Sequence, residues 1–187
     1  MMYKDSSLKQ YCDDVAAKLA APGGGSVSAL TACMGVSLLS MVINFTLGKP
    51  RFARYEALLR RRLEDTEKLR RELLRLVDLD VAAFKSGSAR DAFAVPLMIC
   101  RLSLAGGRLC KLLLTSTNPA LISDIGVAAV LLEAAFAGAA MNVDINLKTL
   151  DDASLSRKSR RELAAGRKQI QRIRANVEEY VGKVIGR

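Results

Sequence analysis

Histidine is absent from the 187-residue chain. Ser-His-Asp and Cys-His nucleophiles, paired-histidine metal sites and imidazole proton shuttles are therefore excluded, and acid–base chemistry falls to Asp, Glu, Lys, Tyr or Cys. Cysteine is scarce: Cys12, Cys33, Cys100 and Cys110 include no C-x-x-C pair, which argues against a zinc site or a thioredoxin-like motif. The four read as buried thiols of a reducing cytoplasm. Sustained apolar–polar alternation is missing, and Ala and Leu stand where a sheet would use Val, Ile and aromatics, so strands have little to build on. From Met1 to Asp14 there is no apolar run of the secretory kind, only Lys4, Asp5, Lys9, Asp13 and Asp14 among neutral residues; a cytoplasmic location is the expectation.

Half of the residues are apolar and 26% are charged, a globular composition that fits neither a disordered tail nor a wholly membrane-embedded chain. The length is that of one ordinary domain, taken as residues 1–187, large enough to bury a core without staples. Basic residues outnumber acidic ones 29 to 19, and such a surplus concentrates anions, from nucleic acid to small polyanionic substrates. Most of it falls in Ser154–Arg187, yet Tyr180 is the one aromatic residue there. Without aromatics between the basic side chains, a solvated helix face is favoured over nucleic-acid binding. No charge interrupts Ala20–Gly48, and Val27–Leu47 alone would reach about 32 Å as a helix, enough to cross a bilayer. Ser26, Ser28, Thr31, Ser37, Ser40, Asn44 and Thr46 cost free energy in lipid but suit close helix packing; a central buried helix, and no membrane, is expected.

Periodicity and breakers divide the chain into six helices. The first spans about Ser7–Ala20 with Ser6 or Ser7 as its cap, and Pro22-Gly-Gly-Gly-Ser26 reads as a loop before the uncharged second helix. Gly48, Lys49 and Pro50 end that helix, and a third, with Leu58, Leu59, Leu63, Leu69, Leu73, Leu74, Leu76 and Val77 at helical spacing, continues to about Phe84. The fourth covers about Arg90–Thr115 with Pro96 near its first turns, the fifth about Asp124–Leu150, and the basic sixth Ser154 to about Ile185. Short connections imply an all-α, antiparallel bundle. Because the second and fifth helices are apolar nearly all round, a homodimer or larger oligomer is expected to cover the excess.

Several polar positions stand out. Gly23, Gly24, Gly25 and Ser26 at a helix start leave room for backbone N–H groups to approach an anion or a flat ring, or make only a tight turn. Asp124 follows Ser123 where a helix cap belongs. Asp144 lies in an apolar helix between Asn142 and Asn146, with Lys148 four residues on as a candidate partner; these form either an interhelical hydrogen-bond network or a ligand-reading face. Asp78 and Asp80 close the apolar run from Leu73 on different faces, and one of them is expected to look into the bundle. A carboxyl there could protonate a leaving group or stabilise a developing cation.

Five segments in order carry a resemblance: Ala21-Pro-Gly-Gly-Gly-Ser26, the uncharged helix ending in Thr46-Leu-Gly-Lys49, Asp80-Val-Ala-Ala-Phe84, Ser123-Asp-Ile-Gly-Val-Ala-Ala129 and Asn142-Val-Asp-Ile-Asn-Leu147. Together they resemble the formiminotransferase-cyclodeaminase C-terminal domain family, which includes stand-alone methenyltetrahydrofolate cyclohydrolases. The resemblance, from about Leu8 to the C-terminus, implies an all-α, dimeric enzyme that acts on a tetrahydrofolate derivative and calls for no metal. It implies formimidoyltetrahydrofolate cyclodeaminase activity, forming 5,10-methenyltetrahydrofolate and ammonia, with methenyltetrahydrofolate cyclohydrolase as the alternative. In each reaction a tetrahedral centre between N5 and N10 collapses after a proton moves, which a carboxylate can serve. On this sequence Asp124, Asp80 and Asp144 compete for that role. Asn142 and Asn146 would read the pterin edge, Gly23 to Ser26 would let backbone approach the ring, and Lys49 and Lys148 would attract the glutamate carboxylates. The chain departs from the family pattern in two places. Only Lys85–Val95 separates Phe84 from Pro96, where family members carry a longer segment, and the last helix is basic where an acidic one is expected. A catalytically lapsed folate-binding or interaction relative is the third reading.

Overall fold

Ser7 caps the first helix, its side chain accepting the Gln10 N–H, and α1 runs Leu8–Ala16. It stops short of the expected Ala20 because every residue from Val15 to Ala20 is exposed, so no packing offsets the cost of ordering another turn. The computed structural model describes residues 2–150 and 152–186; of the domain expected over 1–187, Met1, Asp151 and Arg187 lie outside the described residues. α2 (Gly24–Thr46) begins inside the glycine run, so Gly24 and Gly25 form its first turn instead of the expected loop. A 3-10 turn, Pro50–Tyr55, leads into α3 (Glu56–Ser86). That helix ends on Gly87 at φ 67°, the left-handed conformation that glycine adopts without a Cβ penalty. Ser88 at once caps α4 (Ala89–Leu113), accepting the Asp91 N–H. Another 3-10 turn, Pro119–Leu121, precedes α5 (Ile122–Asn146), and Asp152 caps α6 (Ala153–Ile185). Among the described residues there are six α-helices and no strand, as the missing alternation predicts.

Two expectations about α5 need correcting. Leu121 occupies its cap position and Asp124 lies inside the first turn without capping, because the preceding Pro-initiated 3-10 turn already sets the helical path. The helix also ends at Asn146, short of Leu150. Lys148 is therefore exposed in a turn, and among the described residues it forms no ion pair with Asp144.

Gly24 lies against Asn142, and Gly35 against Leu132, so α2 and α5 run antiparallel. Arg101 bonds Glu162 and Arg108 bonds Gln169; this constant offset makes α4 and α6 parallel. Both run antiparallel to α5, whose Phe136 meets Gly166 of α6. Leu132 of α5 fills the space between Gly35 and Gly106, where a larger residue would force the helices apart. Val36, Leu39, Ile99, Leu113, Ile125, Leu132 and Ile170 belong to one connected core.

By length and composition alone, Gly24–Thr46, Ala89–Leu113 and Pro119–Asn146 are each long and apolar enough to cross a membrane. Their apolar windows are 61%, 56% and 44% buried within the bundle, which marks α5 as the least covered. Val27, Met34 and Phe45 on α2, and Val127, Val130, Met141 and Ile145 on α5, are exposed. Helical spacing and the antiparallel pairing put both rows on one side of the bundle. The cysteines also divide: Cys33, Cys100 and Cys110 are buried as expected, but Cys12 is exposed, since α1 buries only Tyr11.

Candidate active site

Asp80 lies in the last turns of α3, where that helix passes the start of α2. Its Oδ2 accepts the Ser26 N–H at 2.8 Å, and a Cβ on Gly25 would land on the carboxylate itself. Only glycine lets α2 begin this close to α3. The first turn of a helix leaves N–H groups unpaired and partially positive, and a carboxylate is the group that satisfies them. Oδ1 has no protein partner among the described residues. Burial pushes the Asp80 carboxyl above the usual carboxylate range, against the opposing pull of the Ser26 N–H. Desolvation wins because one N–H does not replace the lost water around an ionised group.

Ser26 is held in turn. Its hydroxyl donates to the Val77 carbonyl at 3.0 Å, which uses its single proton, so the Tyr11 hydroxyl 3.0 Å away must donate to it. Burial raises the Tyr11 phenol, with the Ser26 bond opposing. Asn142 stands beside Gly24 and donates its amide to the Gly138 carbonyl at 2.9 Å. Phe84, one helical turn beyond Asp80, is 58% exposed, an aromatic face open to solvent next to the carboxylate. Sequence reasoning missed Tyr11 altogether, because its contact crosses the glycine run and no periodicity reports it. Phe84 was visible as part of a motif, and its spacing of four from Asp80 was the available signal.

The remaining candidates scatter. The Asn146 amide donates to the Ala92 carbonyl at 2.6 Å, and Ala92 is the residue whose helical partner N–H is missing because Pro96 has none. Asn146 thus completes a helix that proline leaves open. Asp144 is exposed on another face of α5. Gly23 is the N-cap of α2, with open space where a Cβ would be. Asp124 is about eighteen residues from Asn142 on one helix, about 27 Å at 1.5 Å per residue, and Lys49 lies beyond the far end of α2, about 34 Å from its start. Asp80, Gly24, Gly25, Ser26 and Asn142 therefore come together, while Asp124 and Lys49 sit at the opposite end of the bundle. Among the described residues no group of three or more Cys, Asp or Glu side chains is placed to hold a metal ion. Clefts of about 410, 420 and 450 Å³ are lined by other residues.

What this carboxylate, glycine backbone and open ring could handle is a cationic or amidine-like carbon carried by a flat heterocycle. A family model described as formiminotransferase-cyclodeaminase matches residues 7–90 and 86–165, two pieces that meet at the short turn between α3 and α4. The chain is 32% identical over 185 residues to a methenyltetrahydrofolate cyclohydrolase of Methylorubrum extorquens, covering 87% of this chain and 89% of that protein. It is also 32% identical over 184 residues to the formimidoyltransferase-cyclodeaminase of Rattus norvegicus, covering 86% of this chain but 34% of that longer protein. The crystal structure of formiminotetrahydrofolate cyclodeaminase from Thermotoga maritima superposes with a TM-score of 0.91 at 29% identity, covering 97% of this chain and 98% of that one. With Asp80, the glycine run and Asn142 all inside the matched residues, the chain belongs to the formiminotransferase-cyclodeaminase family.

Proposed function

We propose that the protein is a cytoplasmic, homodimeric enzyme of folate one-carbon metabolism, one domain over residues 1–187, that closes 5-formimidoyltetrahydrofolate to 5,10-methenyltetrahydrofolate with release of ammonia. The observation that carries this reading is the Asp80 carboxylate, sheltered against the glycine backbone of α2 with one oxygen bonded and the other without a partner among the described residues. N10 of the substrate attacks the amidinium carbon, Asp80 Oδ1 takes the N10 proton, and the same carboxyl returns it to the amine nitrogen, which leaves as ammonia. The methenyl cation that remains carries the charge the amidinium brought. A carboxyl whose proton affinity is raised by burial serves both halves of this transfer better than an ordinary one. Gly24, exposed at the start of α2, gives the pterin a close approach to backbone, while the buried Gly25 and Ser26 hold the Asp80 carboxylate in place; Asn142 faces the polar edge of the pterin, Phe84 offers a stacking surface, and Lys148 at the same end attracts the glutamate carboxylates. The exposed apolar rows of α2 and α5 supply the dimer contact.

The second reading, methenyltetrahydrofolate cyclohydrolase, is favoured by the Methylorubrum extorquens relative, which matches over most of both chains. It uses the same carboxyl, with a hydroxyl leaving as water in place of the amine. Incubating the protein separately with 5-formimidoyl- and 10-formyltetrahydrofolate, while following methenyl absorbance and ammonia, separates the two. Absorbance with ammonia is the expected result, and absorbance from the formyl substrate alone supports the cyclohydrolase. Silence with both, while tetrahydrofolate still binds, marks a lapsed folate-binding relative.

A further inference from the structure

At the end of the bundle away from Asp80, the 3-10 turn Pro50–Tyr55, the connection between α4 and α5, and the last turns of α6 enclose a cleft of about 420 Å³. Arg51, Arg54, Tyr55, Thr115, Thr117 and Tyr180 are among its walls, and no acidic residue is. Neither arginine is paired with a carboxylate among the described residues. Each instead sits by the ring next to it in sequence: the Arg54 guanidinium lies 4.7 Å from the centre of the Tyr55 ring, and that of Arg51 lies 5.8 Å from the centre of the Phe52 ring. A guanidinium held over a ring keeps its planar edge of N–H donors free, the edge that grips an oxyanion in bidentate fashion. The Thr115, Tyr55 and Tyr180 hydroxyls have no protein partner among the described residues, and Thr117 is occupied by the Leu113 carbonyl at 2.7 Å. The cleft therefore offers two cations and three free hydroxyls with nothing to oppose an anion. Its volume exceeds what a lone oxyanion fills, and Phe52, Leu114 and Pro119 give it apolar walls.

We infer that this cleft is a second ligand site, which takes a phosphorylated small molecule with a flat ring, of the nucleotide class. Arg51 and Arg54 hold the phosphate oxygens, the Thr115 and tyrosine hydroxyls add hydrogen bonds, and the ring lies against Tyr180 and the apolar wall. The glutamate tail of a folate bound at Asp80 of the same chain does not account for it, because α2, 23 residues long, separates the two ends by about 34 Å.

The test is calorimetric titration of the whole protein with ADP, inorganic phosphate and a γ-linked pentaglutamate, each alone, at two salt concentrations. The expected result is one ADP per chain, bound more weakly as salt rises, with inorganic phosphate at least about tenfold weaker for want of a ring. Arg51→Ala/Arg54→Ala should weaken ADP by at least about tenfold. Arg51→Lys/Arg54→Lys, which keeps the charge and loses the fork, should also weaken it severalfold. Methenyl formation from folate substrate should be the same in these variants as in the parent. Thr115→Val/Tyr180→Leu provides an independent measurement should the arginine variants lose their fold. The inference is overturned by failure of ADP to saturate the protein, by equal ADP affinity in the folded variants, or by phosphate binding as tightly as ADP. Pentaglutamate binding in place of ADP overturns it as well.

Discussion

Asp80 is a group whose neutral form the fold favours, and this sets how its replacement behaves. Its folded-state affinity for protons is raised, so its contribution to stability is fully present below the ordinary carboxyl range and is lost as pH rises through the folded-state value. Asp80→Asn should accordingly melt higher than the parent at neutral pH, with the difference shrinking as pH falls through and below the ordinary carboxyl range, where the parent's carboxyl becomes neutral as well. Turnover in the same variant should fall by about 10²–10⁴-fold, the usual worth of a positioned acid–base group. A melting curve that drops at neutral pH, or a rate that survives, contradicts the assignment. Gly25→Ala should damage both stability and rate, by about 1–3 kcal/mol for the first, since its methyl would occupy the carboxylate's place. Gly24→Ala meets only the movable Asn142 amide at 3.2 Å and should be the milder change; chemical denaturation ranks the two. The thiols give another residue-level check. Burial pushes Cys100 and Cys110 up to about 12, so a thiol–disulfide exchange reagent should titrate Cys12 quickly in the native protein and the other three only after unfolding.

Among elements, α4 and α5 share a dependence that neither sequence segment announces. Pro96 removes a donor from the middle of α4, and Asn146, at the end of α5, supplies one to the Ala92 carbonyl. Asn146→Ala leaves that carbonyl short of a partner and should cost about 1 kcal/mol, seen as a lower melting temperature. Pro96→Ala restores the helical N–H and should cancel most of that loss in the double variant. If Asn146 serves a ligand alone, melting will not move and KM will. The sequence pattern placed Asn142 and Asn146 on one face and could not divide their duties, because proline's missing donor matters only to whatever packs beside it. The start of α1 was legible because a polar cap stands there, at Ser7, and the end of α3 and the start of α6 fell within about two residues of their expected places at Phe84 and Ser154. The start of α2 was not legible at Gly24, where a carboxylate from another helix turns an expected loop into a helical turn.

For the whole molecule, the rows on α2 and α5 form an apolar surface that the bundle leaves uncovered. Met34→Glu and Met141→Glu, placed on those rows with 45% and 66% of their surface exposed, should shift the protein from dimer to monomer in sedimentation velocity, since unpaired charge in an apolar contact is expensive. Monomeric parent protein would contradict that proposal. The concentration of positive charge on α6 is consistent with its role as an outer helix, whose inner side is lined by Leu163, Ile170, Ile173 and Val177.

Composition and spacing by themselves determined that the chain is all helix, how many helices it has, and that imidazole takes no part in its chemistry, because periodicity and residue type are local properties. The ordered motifs also carried the family. Tertiary structure alone decided which acid is sheltered. Asp80, Asp124 and Asp144 look alike in sequence, and only the packing of α3 on α2 puts one of them against unpaired backbone N–H groups while the others face water or the opposite end of the bundle. Desolvation depends on neighbours brought from far along the chain, so no local pattern can report it.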